Sequence, residues 1–202
     1  FFSVNRDIFL RSLCVMAVML FFTATGARSG NMTLAVNSLF MQLYLLYSHF
    51  MDGFAYAGEA LVGKYAGAAD KRSLRRCVSH LFAWGWSLAA IFAFAYGVFN
   101  HEVMSLFSDK PEVVAFAAAY RWWIALAPIA GMAAFIWDGV FVGLTATRQM
   151  LLSLAGATAV YFAIYFLSPF PDANSSLWTA FLAYLAVRGA ILWLCFARKN
   201  EY

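Results

Sequence analysis

A single carboxylate within a long apolar stretch is the clearest candidate for chemistry in this chain. Asp138 is the only charged residue between Trp122 and Thr147. A carboxylate in hydrocarbon costs roughly 3 kcal/mol or more, so such a residue usually faces a bundle interior or a water-filled path. Asp138 is therefore predicted to belong to an ion or substrate pathway across a membrane.

A second candidate is a polar stripe in the segment 34–62. At 100° per residue, its polar side chains fall within an arc of roughly 100°. They are Ser38, Gln42, His49, Asp52, Tyr56 and Glu59. Asn37 lies about 40° outside this arc and is treated as a flanking residue. The stripe is predicted to line a cavity, but it can also join packed helices, because Ser, Gln and His hydrogen-bond across membrane spans.

Two members of the stripe could exchange protons. His49 and Asp52 are three residues apart, a spacing at which they can share a proton and titrate near neutral pH. A purely structural hydrogen bond fits the same spacing. Glu59 lies only five residues before Lys64, so it can be a half-solvated interfacial charge and ranks below Asp52.

Arg188 is a further charge within an apolar stretch. It precedes Arg198 by ten residues, which is about 15 Å along a helix and too deep for easy contact with water. A carboxylate partner is therefore expected, and Asp138 and Asp52 are the candidates. The resulting ion pair can serve transport or be purely structural.

Membrane-spanning helices must position these residues. Hydrophobic residues make up 64% of the chain and charged residues 12%, far from the composition of a soluble domain. The apolar stretches approach the ~20 residues that span a bilayer, and none alternates with the period of two of a barrel strand. We therefore predict an all-α polytopic membrane protein with six spans, at about 8–27, 34–62, 81–99, 116–144, 150–167 and 175–197.

Basic residues predict the orientation of these spans. With the N-terminus in the cytoplasm, most of them are cytoplasmic, namely Arg6, Arg11, Lys64, Lys71, Arg72, Arg75, Arg76, Arg148, Arg198 and Lys199. Arg28, Lys110 and Arg121 lie outside, and the positive-inside rule favours this arrangement. The basic loop 64–76 is therefore interpreted as an orientation signal, and no nucleic-acid partner is expected.

Two outer connections separate the later spans. Glu102, Asp109 and Glu112 surround Pro111, which predicts a short helix at the membrane interface. The segment 169–174 combines two prolines with Asp and Asn, a pattern typical of a turn that ends one helix and caps the next. Neither connection indicates catalysis.

Enzyme chemistry has little support in the sequence. The cysteines and histidines are dispersed, without CxxC or HExxH spacing. They are Cys14, Cys77, Cys195, His49, His80 and His101. We interpret the cysteines as structural and expect no metal and no cofactor. An intramembrane enzyme and a non-catalytic assembly subunit remain alternatives to a transporter, although a subunit gives no reason for Asp52, Asp138 and Arg188.

Three segments resemble the multidrug and toxic compound extrusion (MATE) transporters. They are 5–11 (NRDIFLR), 52–63 (DGFAYAGEALVG) and 138–148 (DGVFVGLTATR). The chain looks most like the DinF-type branch of that family. The resemblance covers essentially the whole chain, but only as the C-terminal six-helix lobe, residues 1–202, of a twelve-helix protein.

The resemblance implies a cation-coupled antiporter, driven by H⁺ or Na⁺, that exports organic and often cationic molecules by alternating access. Asp138 matches an acidic position in the tenth helix of the family. The DinF-type branch generally has its proton-coupling aspartate in the other lobe. The expected partners are therefore an N-terminal lobe of the same polypeptide, the lipid bilayer and a small organic substrate, in a bacterial cytoplasmic membrane. The start at Phe1 is likewise interpreted as part of a longer polypeptide.

Overall fold

Helices account for nearly all of the described chain. The computed structural model describes residues 2–168, 170 and 172–199. These residues form α1 (Phe2–Arg28), α2 (Asn31–Gly67), α3 (Lys71–Val98), α4 (Asn100–Phe107), α5 (Pro111–Gly143), α6 (Thr147–Leu167) and α7 (Ala173–Lys199). The predicted all-α class is thus confirmed. Pro169 and Pro171, which belong to the second predicted outer turn, lie outside the described residues.

Five helices within the described ranges are long and apolar enough to cross a membrane: α1, α3, α5, α6 and α7. The second predicted span corresponds to α2, which is not among the five because Asn37, Gln42 and His49 lower its hydropathy. Its 37 residues extend about 55 Å, well beyond the ~30 Å hydrocarbon core of a bilayer. Composition therefore supports five of the six predicted spans, and length supports the sixth.

The centre of the bundle is α5, which packs against α2, α3 and α7. In its most apolar window 67% of the residues are buried, against 17% in the corresponding window of α1. This helix is apolar on nearly all sides, as expected of a helix surrounded by others. Its residue Asp138 is therefore positioned inside the helical bundle.

Glycines allow α2 and α5 to cross at very short distance. A Cβ added at Gly139 would collide with the backbone of Ala55, and one added at Gly143 would lie 2.7 Å from the Glu59 carbonyl oxygen and 3.0 Å from the Gly63 nitrogen. Small residues at such crossings bring two backbones into contact. The position of Asp138 relative to α2 is therefore set by direct backbone packing.

The turn between α2 and α3 is shorter than the sequence predicted. A loop was expected over 64–76, whereas α2 continues to Gly67 and α3 begins at Lys71. Both helices extend beyond their apolar stretches because Lys and Arg are good helix formers. Asp70 caps α3 by accepting a 3.0 Å hydrogen bond from the Ser73 amide. Hydrogen bonds from Ser73 hold the pKa of the Asp70 carboxyl below its usual value.

The predicted short helix of the outer connection is α4, but it ends before Pro111. That proline instead begins α5. An amide at the first position of a helix makes no intrahelical hydrogen bond, so the missing amide hydrogen of proline costs nothing there. Glu112 lies in the first turn of α5, where a negative charge complements the helix dipole. Of the acidic residues of this connection, Glu102 belongs to α4 and Glu112 to α5, while Asp109 lies between the two helices.

Candidate functional site

Asp138 lies between two arginines from different helices. Its Oδ2 accepts hydrogen bonds from the Arg188 Nη2 of α7 and from the Arg11 Nη2 of α1, the latter at 2.5 Å. The exposed fractions of the side chains are 16% for Asp138, 11% for Arg188 and 29% for Arg11. Of the two expected partners of Arg188, the structure thus contains Asp138 rather than Asp52. We name these three residues the Arg–Asp–Arg cluster.

Sequence reasoning missed Arg11 as a member of the cluster, because it interpreted this residue as an orientation signal. The available sign was its position three residues inside the predicted span 8–27. A cation at that depth needs either a path to water or a carboxylate. The structure provides the carboxylate on α5.

The Arg–Asp–Arg cluster holds two cationic groups and one anionic group, so one positive charge is in excess. Removing ionised groups from water costs several kcal/mol each, and close pairing offsets that cost only in part. A cation that binds the Asp138 carboxylate competes with both guanidinium groups for its oxygens. The arrangement can therefore exchange one bound cation for another.

Close helix packing also positions the second arginine. Gly189 directly follows Arg188, and a Cβ added there would lie 2.9 Å from the Ala133 Cβ of α5. Because α7 has no side chain at this point, its backbone lies against α5. Arg188 consequently reaches Asp138 while remaining almost completely shielded from solvent.

The predicted polar stripe of α2 lies on the surface of the chain. Ser38, Gln42, His49, Tyr56 and Glu59 are exposed, and Asp52 is half-buried. On the opposite side of α2, Phe40 and Tyr47 are fully buried. The Ser38 hydroxyl donates to the Leu34 carbonyl oxygen of its own helix at 2.8 Å. Across the part of the chain that the structure describes, the stripe makes no hydrogen bond to another helix.

The hydrogen bond predicted between His49 and Asp52 is not formed. The His49 Nδ1 lies 2.6 Å from the Leu45 carbonyl oxygen, one turn earlier in the same helix. The imidazole is therefore turned toward its own backbone and away from Asp52. A role for either residue in a pathway stays a prediction.

Two clefts beside α1 are lined by residues of the stripe. The cleft between α1 and α2, about 240 Å³ in volume, is lined in part by Ser38 and Gln42. The second, about 520 Å³ in volume, brings Glu59 together with Asp7 and Arg11. One arginine of the Arg–Asp–Arg cluster therefore faces a solvent-accessible cleft that also contains two carboxylates.

A buried amide cluster that sequence reasoning underestimated joins α2 to α7. The Asn37 Nδ2 donates to the Asn174 Oδ1 at 2.7 Å, and the Asn37 Oδ1 accepts from the Trp178 Nε1 at 2.9 Å. Asn37 and Asn174 are 3% and 1% exposed. The position of Asn37 outside the polar arc was the available sign, because a buried polar side chain requires hydrogen-bond partners.

Metal-ligating side chains are not clustered in the described residues. No group of three or more His, Cys, Asp or Glu side chains there could hold a metal ion. The cysteines Cys14, Cys77 and Cys195 are free thiols. The ion pairs of the described residues include those at Asp138 and the pair of the buried Asp7 with Arg6, at 3.3 Å.

Comparison with known proteins identifies the family. The MatE family model matches residues 8–167, so the chain belongs to the MatE family. Its relatives include DNA damage-inducible protein F of Escherichia coli (strain K12), which is 32% identical over 190 residues, 94% of this chain. Protein DETOXIFICATION 45, chloroplastic, of Arabidopsis thaliana is 24% identical over 178 residues, 88% of this chain. The resemblance to the DinF-type branch of the MATE transporters is confirmed.

A solved structure shares the fold. It is described as the outward-facing conformation of a multidrug resistance MATE family transporter of the MOP superfamily. It matches 96% of this chain with a TM-score of 0.78 at 14% sequence identity. The chain spans 44% of that protein, 41% of DNA damage-inducible protein F and 32% of the Arabidopsis relative. Family membership and five apolar helices make it a multi-pass membrane protein.

Proposed function

We propose that the chain is the C-terminal six-helix lobe, residues 1–202, of a cation-coupled antiporter that exports organic, often cationic compounds. Membership of the MatE family supports transport over enzyme catalysis. Coverage of less than half of its relatives supports a single lobe of a longer protein. Alternating access requires a second lobe, because transporters of this kind commonly place their binding site between two repeats.

The observation that carries the proposal is the shared carboxylate of the Arg–Asp–Arg cluster. The coupling ion, H⁺ or Na⁺, binds at Asp138 in competition with the two guanidinium groups. Neutralising the carboxylate removes the counter-ion of both arginines at once. Binding of the ion therefore changes the charge of the lobe interior. It also weakens the attachment of α1 and α7, which carry the arginines, to α5.

Of the two arginines, Arg11 is released first. Its side chain is 29% exposed, against 11% for Arg188, so its separation from Asp138 costs less desolvation energy. Asp7 lines the same cleft as Arg11, but its carboxylate already pairs with Arg6 at 3.3 Å. Glu59 also lines this cleft and offers Arg11 a new partner. This exchange gives Glu59 a role that its place at the edge of the stripe did not predict.

The polar stripe of α2 forms one wall of the substrate pathway. Its exposed members face away from the packed core of the chain, as expected of a surface that meets the second lobe across a cavity. Gln42 and Ser38 line a cleft in this region. Hydrogen-bonding groups on an otherwise apolar wall suit the orientation of small organic molecules.

The protein is proposed to lie in a bacterial cytoplasmic membrane with the α2–α3 turn inside. The concentration of basic residues near that turn supports this orientation. Cysteines introduced at Ser73 and Ser175 of the full-length protein should react with impermeant thiol reagents from opposite sides. Labelling of both from one side would contradict the topology.

Substitution of Asp138 in the full-length protein tests the coupling role. Asp138→Asn retains the shape of the side chain, removes its charge and leaves two arginines without their counter-ion. We expect export to be lost and thermal stability to fall. The double variant Asp138→Asn with Arg188→Gln should recover stability, because one uncompensated charge is removed, but it should remain inactive. Drug resistance in cells and thermal unfolding of the purified protein measure the two effects.

The double variant distinguishes coupling from a structural ion pair. If Asp138 served only to neutralise Arg188, the double variant would recover export together with stability, and the proposed coupling role would be wrong. A single variant that exports normally would contradict the proposal directly. Full-length protein is required in both experiments, since a lone lobe is not expected to transport.

A further inference from the structure

A groove of about 470 Å³ lies between α2 and α3. One end is lined by Phe54 of α2 and Trp84 of α3, and the end beside the α2–α3 turn by Tyr65, Ser73 and Arg76. Phe54 and Tyr65 are eleven residues apart, which corresponds to about 16 Å along the helix. This length is close to half the ~30 Å hydrocarbon core of a bilayer. The groove therefore has the depth of one lipid leaflet.

The end of the groove beside the turn is strongly basic. The segment 64–76 holds five cationic side chains and a single carboxylate, Asp70. Arg76 is exposed and lines the groove, and the Lys64 ammonium lies 6.0 Å from the centre of the Tyr65 ring. Basic pockets between membrane helices bind anionic lipid headgroups. The charge at this end is complementary to a phosphate group.

Beyond Arg76 the groove is open and apolar except for His80, which is exposed and also lines it. Cys77 and Leu81 form a buried floor, while Trp84 is 67% exposed and Leu61 41% exposed. Uncovered apolar side chains at this depth suit contact with an acyl chain. From one end to the other, the groove thus changes from basic to apolar, in the order in which a phospholipid changes from headgroup to tail.

The groove is separate from the proposed substrate pathway. Around the axis of α2, its residues Phe54, Leu61 and Tyr65 lie roughly 150° to 170° from the centre of the polar stripe. A surface on that side of the helix faces away from the proposed second lobe. Its surroundings in the membrane are therefore lipid.

We infer that this groove binds one anionic phospholipid. Its phosphate lies at Arg76, on the side away from Asp70, and an acyl chain lies between Phe54 and Trp84. The Arg76 guanidinium donates hydrogen bonds to the phosphate oxygens. In a zwitterionic lipid, the ammonium group of the headgroup weakens this pairing. The exposure of the site to lipid rests on the proposed position of the second lobe, but the site does not depend on the coupling role of Asp138, so lipid binding and coupling are tested separately.

Native mass spectrometry of the full-length protein in detergent tests the inference. Titration with dioleoyl phosphatidylglycerol should give a saturable adduct of one lipid, at least fivefold tighter than with dioleoyl phosphatidylcholine. Arg76→Gln should weaken phosphatidylglycerol binding roughly fivefold, the change expected from loss of one surface cation. Arg75→Gln is the matched control, because it removes the same charge from the neighbouring residue, which does not line the groove. It should weaken binding less than twofold.

The acyl chain is tested by filling the groove. Ala57 is exposed and lines it, so Ala57→Trp should block the chain and abolish the adduct without unfolding the protein, which thermal unfolding verifies. Soluble glycerol phosphate should not displace the lipid at equal concentration. Equal binding of the two lipids, equal loss in Arg75→Gln and Arg76→Gln, or displacement by glycerol phosphate would each overturn the inference. The last result would indicate a plain phosphate site.

Discussion

The two faces of α2 differ in how closely they pack against the rest of the chain. One face lies against α5 so closely that Gly139 and Gly143 leave no room for a Cβ. The other face presents Ser38, Gln42 and Glu59 to the outside of the chain. Backbone contact positions α2, and this contact includes the Glu59 carbonyl oxygen but not the polar side chains of the stripe. A helix that holds the fold together on one side can therefore keep its other side free for function.

Changes on the packed face should have the largest effect. Gly139→Ala places a methyl group into the backbone of Ala55, and because backbone cannot rotate away, we expect a loss near the upper end of overpacking costs, about 3 kcal/mol. Gly53→Ala is the matched control in α2, where a Cβ meets nothing within 4 Å. It should be neutral or stabilising by about 0.5–1 kcal/mol. Thermal unfolding of both full-length variants measures the difference, and similar values would contradict the close crossing.

The two arginines around Asp138 should differ in their importance for stability. Arg188→Gln removes the less exposed partner and should cost about 2 kcal/mol, less than a fully broken buried pair because Arg11 remains. Arg11→Gln removes a more exposed side chain and should cost about 1 kcal/mol or less. Unfolding temperatures of the two variants give the order. A larger loss in Arg11→Gln would reverse our assignment of Arg11 as the arginine released first.

A position at the end of α2, away from both faces, should show a small gain. Ala69 adopts a φ of +54°, a conformation that costs an alanine roughly 1 kcal/mol and costs glycine almost nothing. Ala69→Gly should therefore stabilise the protein by about 0.5 kcal/mol. The neighbouring Ala68 has a φ of −83°, so Ala68→Gly should bring no gain. Equal effects of the two changes in thermal unfolding would exclude strain at Ala69.

Changes on the uncovered face should leave stability almost unaltered. Gln42→Ala removes an exposed side chain without interhelical hydrogen bonds, so we expect a change within about 0.5 kcal/mol. Export should nevertheless fall, because Gln42 lines the proposed pathway. Ser87→Ala on the exposed surface of α3 is the control for export. Destabilisation by Gln42→Ala, or unchanged export, would contradict the proposed division between the two faces.

Much of the fold follows from the sequence alone. Apolar stretches predict the helices, because hydrocarbon requires internally satisfied backbone hydrogen bonds. The depth of Arg188 predicts a carboxylate partner, and the structure contains Asp138 in that role. Helical spacing also predicts that the stripe of α2 shares one face. These inferences depend on local geometry or on the cost of an isolated charge, both of which a single sequence reveals.

Contacts between distant helices were harder to predict. Arg11 pairs with a residue 127 positions away, and only the packing of α1 determines whether it reaches Asp138 or water. A projection of α2 alone places Asn37 beside the stripe but gives no information about Asn174 or Trp178. The α2–α3 turn was predicted too long, because hydropathy locates the apolar part of a helix and not its capped end.

The amide cluster at Asn37 has a consequence for how the lobe can move. It ties one end of α7 to α2, while Arg188 ties the same helix to α5, fourteen residues or about 21 Å further along. A helix held at two points about 21 Å apart cannot rotate about either of them. By contrast, among the side chains that the structure describes, Arg11 alone forms a hydrogen bond from α1 to another helix. When a cation displaces that arginine, we expect α1 to swing while α2, α5 and α7 keep their mutual arrangement.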